Sequence, residues 1–83
     1  MKYQFPERLK NLRESAGLSQ RQLAKALNSQ ITDSAIGLWE LNKRIPTLES
    51  AMLIAEYFGV SIDYLAGLED WLKTFSISRF YFF

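Results

Sequence analysis

The sequence predicts an all-α fold of five short helices, and three observations carry that reading. Apolar residues recur at three- and four-residue spacings along most of the chain. A serine, threonine or proline stands where each helix would begin, and a glycine or asparagine where each would stop. No run with the two-residue period of a strand occurs before residue 75.

The first helix is predicted over 6–16. Pro6 suits a first turn, where its missing N–H costs nothing, and Phe5, Leu9, Leu12 and Ala16 follow the helical spacing up to Gly17. Ser19 then caps a second helix over 20–27, with Gln22 completing a capping box. Gln20, Leu23, Ala24 and Leu27 share one face of it, and Asn28 tolerates the left-handed conformation that ends it. Residues 28–32 read as a turn, polar apart from Ile31. Thr32 or Asp33 caps a third helix that runs to about Leu41, with Ile36 and Trp39 as its apolar stripe and Asn42 at its end. Pro46 disfavours helical geometry at Ile45, so residues 43–46 form a basic linker. Thr47 caps the fourth helix, with Leu48, Ala51, Met52, Ala55 and Phe58 as its expected buried stripe, Ile54 alongside, and Gly59 as its stop. Ser61 caps a short fifth helix that turns Ile62, Leu65 and Ala66 inward before Gly67.

Eighty-three residues allow one domain with a single small core. Hydrophobic residues make up 48% and charged residues 23%, as in ordinary water-soluble domains. The absence of cysteine excludes disulfides and thiolate metal sites, and the absence of histidine removes the commonest general base and zinc ligand. No pair of carboxylates is set by spacing toward one cleft, and there is no glycine-rich phosphate loop. An enzyme is therefore not expected, and neither is a cofactor or a metal. The first six residues contain no apolar run of a signal peptide, and no stretch is long and apolar enough to span a membrane. The expectation is a cytoplasmic protein.

The formal charge of +1 hides an uneven distribution. Residues 1–44 hold Lys2, Arg8, Lys10, Arg13, Arg21, Lys25, Lys43 and Arg44 against Glu7, Glu14, Asp33 and Glu40, a balance of +4. Residues 45–72 hold Glu49, Glu56, Asp63, Glu69 and Asp70 and no base, a balance of −5. The basic half is the one to meet a polyanion.

Helices 2 and 3 with their turn form a helix-turn-helix candidate. The run from Gly17 through Leu18, Ser19, Gln20, Arg21, Gln22, Leu23, Ala24, Lys25 and Ala26 to Leu27 resembles the helix 2 signature of the Cro and phage-repressor-like helix-turn-helix family. Ile36, Trp39 and Glu40, then Lys43, Arg44, Ile45 and Pro46, resemble that family's recognition helix and following loop. Leu48 to Phe58, then Gly59 to Leu65, resemble its last two helices. The resemblance implies a compact, lambda-repressor-like five-helix domain over residues 1–69. It implies binding to double-stranded DNA, usually as a homodimer on a near-palindromic operator, for a transcriptional regulator expected to be a repressor. Helix 3 would lie in the major groove, helix 2 would cross the backbone, and half-sites would stand about 34 Å apart. One departure is present: Leu27 and Trp39 are separated by two more residues than the family's usual pattern, a surplus placed at Ser29 and Gln30. Ile31 then takes the apolar turn position and Thr32 the cap.

The resemblance assigns roles residue by residue. Gln20 would contact a phosphate and brace the first side chain of the recognition helix. Asp33, Ser34, Gly37 and Leu38 occupy reading positions, since Ile36 and Trp39 point inward. Asp33 either accepts a hydrogen bond from cytosine N4 or serves only as a cap at the positive end of the helix dipole. Ser34 can bond many partners, and Leu38 can touch a thymine methyl. With no arginine, glutamine or asparagine in this set, more of the readout falls to DNA shape and to Ser29, Gln30 and Thr32. Lys43 and Arg44, helped by Asn42, would meet phosphates, while Lys10, Arg21 and Lys25 are weaker candidates. Arg13 and Glu40 would form a structural ion pair locking helix 3 to helix 1. A rival reading uses the same domain as a protein-interaction module, an adaptor or the antitoxin half of a toxin–antitoxin pair.

Residues 70–83 form an aromatic tail beyond the resemblance. Trp71, Leu72, Phe75, Ile77, Phe80, Tyr81, Phe82 and Phe83 make eight of the last thirteen residues apolar or aromatic. Such a segment left bare in water invites aggregation. It either folds back on its own domain or packs against a second copy. The second is the expectation, with Trp71, Phe75, Phe80 and Phe82 as dimerisation residues.

Overall fold

Local capping chemistry sets the helix boundaries in the computed structural model, which describes residues 2–27 and 30–68. The elements are α1 (Phe5–Ser15), α2 (Gln20–Ala26), α3 (Asp33–Glu40), α4 (Leu48–Phe58) and α5 (Ile62–Ala66). Ser19 accepts the N–H of Gln22 at 3.0 Å while the Gln22 side chain accepts the N–H of Ser19 at 2.8 Å, a complete capping box. Thr32, Thr47 and Ser61 accept the N–H groups of Ala35, Ser50 and Tyr64 in the same way. Helix α1 starts one residue earlier than the proline predicts. Its cap is Gln4, with no side-chain hydrogen bond, and Pro6 falls inside the first turn, where a missing N–H is harmless.

Phe5, Leu9, Leu23, Leu27, Ile36, Trp39, Ile54, Ala55 and Leu65 form the core. Ile31, the apolar residue of the turn, packs against it. Trp39 is 5% exposed and stands edge-on to Phe5, with ring centroids 6.3 Å apart. The stripe expected on α4 is corrected. Ile54 and Ala55 are its buried residues and Ala51 and Phe58 are partly buried, whereas Leu48 and Met52 stand in solvent, 67% and 52% exposed. Positions 51, 54, 55 and 58 are the helical neighbours that face the core, so Leu48 and Met52 lie outside that stripe. Ala16 is likewise exposed, as the C-cap of α1.

Helices α1 and α5 are joined at their ends. The Gln4 N–H donates to the Ala66 carbonyl at 3.1 Å, and Arg8 Nη1 donates to the Tyr64 carbonyl at 2.6 Å. The Arg8 guanidinium also lies 4.3 Å from the centre of the Tyr64 ring, within cation–π range. Gly67 turns the chain here at φ +91°, and a Cβ on it would stand 2.8 Å from the Lys2 carbonyl oxygen, so only glycine fits. No helix among the described residues is long and apolar enough to cross a membrane. Ser29 and the tail, with Trp71, Phe75, Phe80 and Phe82, lie outside the described residues.

Candidate nucleic-acid interface

Helices α2 and α3 pack against each other, and α1 holds α3 from behind. The holding group is Arg13. Its Nε donates to Glu40 Oε2 at 2.7 Å, its Nη2 to Glu40 Oε1 at 3.0 Å, and its Nη1 to the Leu18 carbonyl at 2.8 Å. One guanidinium thus fixes the end of α3 and the loop leading into α2. The side chains are 11% and 4% exposed, so the fork–fork pair is largely withdrawn from water. Hydrogen bonding to Glu40 raises the Arg13 pKa above its ordinary value, against the opposing effect of burial, and the guanidinium stays charged across the neutral range.

Gln20 joins the same network. Its Nε2 donates to Glu40 Oε1 at 3.1 Å. The resemblance implies a brace on the first side chain of the recognition helix. Here the amide reaches the last residue of α3 instead. Gly37 makes that route possible, because a Cβ there would stand 3.2 Å from Gln20 Oε1. A glycine inside a helix costs stability and points to close approach. That is the signal by which sequence reasoning could have found this contact. The hydrogen bonds of Arg13 to Leu18 and of Arg8 to Tyr64 had no sequence signal, since a backbone carbonyl partner leaves no residue type to recognise.

Thr32, Asp33 and Ser34 are exposed at the start of α3. The Thr32 hydroxyl is occupied as the cap, and Asp33 Oδ1 accepts the Ser34 N–H at 2.8 Å, beside the positive end of the helix dipole. The Ser34 hydroxyl projects without a structural duty among the described contacts. Leu38 is half-buried one turn further on, and Gln30 is exposed in the turn.

At the other end of α3, Asn42 adopts φ +57°, the left-handed conformation that its residue type tolerates. The N–H groups of Asn42 and Lys43 donate to the carbonyls of Trp39 and Leu38 at 3.1 and 2.9 Å, which folds the linker against the helix end. Lys43 and Arg44 are exposed there, and among the described residues neither has a carboxylate partner. The exposed start of α3, its half-buried Leu38 and these two cations follow one another along residues 32–44. No group of three potential metal-ligating side chains occurs among the described residues.

A family model described as "Helix-turn-helix" matches residues 9–65 of the chain. The chain belongs to the helix-turn-helix family. Its type is that of Cro and the phage C1 repressors. Among helix-turn-helix relatives, the transcriptional activator BcrR of Enterococcus faecalis is 39% identical over 67 residues, 81% of this chain and 32% of that protein. The transcriptional regulator YobD of Bacillus subtilis (strain 168) is 34% identical over 66 residues, 80% of this chain and 57% of its own length. The chain spans about a third to just over half of these helix-turn-helix relatives. The crystal structure of a transcriptional regulator from Listeria innocua superposes with a TM-score of 0.71 at 29% identity, covering 93% of this chain and 79% of that one. This helix-turn-helix family is one of transcriptional regulators and not of enzymes.

Proposed function

We propose that the chain is a sequence-specific regulator of transcription that binds double-stranded DNA, a repressor acting as a homodimer on a near-palindromic operator. The observation that carries this reading is the exposed surface of α3 and its two flanks. Its start presents Asp33 and Ser34, its far end is flanked by Lys43 and Arg44, and Arg13, Glu40 and Gln20 hold it rigid from behind. A helix anchored from behind, with exposed polar residues at its start and exposed cations beyond its end, suits insertion into a major groove, with base contacts on the helix and phosphate contacts beside it.

Gln20 has a second role in this reading. Its Nε2 carries two hydrogens, one of which is directed at Glu40, so the other is free to meet a phosphate at the start of α2. Gln30, Thr32, Gly37, Leu38 and Asn42 complete the DNA-facing set, with Ser29 in the turn. Asp33 repels phosphate and so disfavours non-specific binding, which makes the duplex sequence matter more.

Selection of bound sequences from a random duplex library tests the proposal. A selected palindrome, bound with salt-dependent affinity, is the expected result. Absence of salt-dependent duplex binding would reject it and leave the protein-interaction module. A reporter placed behind the selected operator then reads the direction of regulation: repression is expected, and activation would overturn that part.

A further inference from the structure

The outward face of α4 carries charge and apolar surface that the DNA reading does not use. Glu49, Met52, Leu53, Glu56 and Tyr57 fall at helical spacings on one side of the helix. Met52 is 52% exposed, Leu53 36% and Tyr57 44%. Glu49, Met52, Leu53 and Glu56 together line a shallow depression. Both glutamates are exposed, and residues 45–68 contain no lysine or arginine to neutralise them. A polyanion has no reason to approach here.

The surface asks for an occupant that is apolar and basic. Two copies of α4 set face to face would bring four glutamates together, and like charges across an interface are costly. Residues 71–83 have the required chemistry. They hold Trp71, Leu72, Phe75, Ile77 and four further aromatics with Lys73 and Arg79, and no acid. We infer that residues 71–83 of one copy dock along the Glu49–Met52–Leu53–Glu56 face of α4 in a second copy. The inference rests on the homodimer reading above and names its surface. Ala66 lines a different groove, beside Leu48 and Ala51, whereas Leu53 and Glu49 border the groove next to Trp39 and Ala35. The Glu49–Met52–Leu53–Glu56 depression shares no lining residue with the groove at Ala66, and in the homodimer reading a second copy supplies it. Two-fold symmetry makes the exchange reciprocal, so both faces are covered at once.

The experiment is a charge swap read by sedimentation equilibrium of the full chain without DNA. Glu49 and Glu56 are exposed, and circular dichroism verifies that each variant keeps its helices. Glu49→Lys with Glu56→Lys is expected to weaken the dimer at least about tenfold, as is Lys73→Glu with Arg79→Glu. The fourfold variant, with the charges exchanged, is expected to recover most of the native affinity. A native dimer insensitive to either pair of reversals, or one weakened by both but not recovered in the fourfold variant, would overturn the α4 docking and leave the homodimer standing. A native chain that is monomeric at every concentration would remove the homodimer itself. Binding to a duplex carrying a single half-site is measured separately, because that contact does not require a second copy.

Discussion

Arg13 Nε stands 2.7 Å from Glu40 Oε2, and this contact ties α1 to the last residue of α3 across 27 positions of sequence. Because Glu40 is only 4% exposed, the pair matters more when broken than when intact. Arg13→Ala strands a buried carboxylate and removes the hydrogen bond to Leu18, and is expected to cost about 3 kcal/mol or more. In a domain of this size that lowers Tm by more than about 10 °C. A double-mutant cycle with Glu40→Ala should give a coupling of at least about 0.5 kcal/mol. Zero coupling in thermal or urea unfolding would mean that the two groups do not interact in solution.

Gly37 and Gln20 give a second, subtler cycle. Alanine in place of a helical glycine ordinarily gains about 0.5–1 kcal/mol. Here the new Cβ meets the Gln20 amide, so Gly37→Ala should gain less than that in the native background. In a Gln20→Ala background the full gain should appear. Equal changes in Tm in the two backgrounds would show that Gln20 does not lie over Gly37.

Lys43 and Arg44 should act on all duplexes alike. Replacing both with alanine is expected to weaken binding about uniformly across sequences and to reduce the salt slope by about one unit per lost phosphate contact. Reversal to glutamate should weaken it further. An unchanged slope in the double alanine variant places both residues outside the interface.

Ser34 and Leu38 should act on sequence preference. Contacts to base edges specify, while contacts to phosphates position. Ser34→Ala and Leu38→Ala are each expected to change the sequences recovered from a random library more than they change non-specific affinity. Recovery of the native preference by both variants would mean that α3 sits differently on the duplex, with the lengthened turn at Ser29 and Gln30 as the first place to look.

The sequence by itself determined the order of α1 to α5 and the side-chain capping of α2 to α5. Ser19, Thr32, Thr47 and Ser61 each close a hydrogen bond three residues away, Asn42 takes its left-handed turn, and Ile36 and Trp39 lie inside as their spacing requires. These features depend on a residue and its near neighbours, so they are written locally. Only the tertiary structure decided which stripe of α4 is buried, leaving Leu48 and Met52 in solvent, and where the Gln20 amide goes. An apolar helix with more than one candidate face is oriented by what packs against it. The reach of Gln20 to Glu40 depends on the distance between α2 and α3, which Gly37 sets from 17 residues away and Arg13 reinforces from α1. Such distances arise from the simultaneous fit of several helices, and no local pattern of residues encodes them.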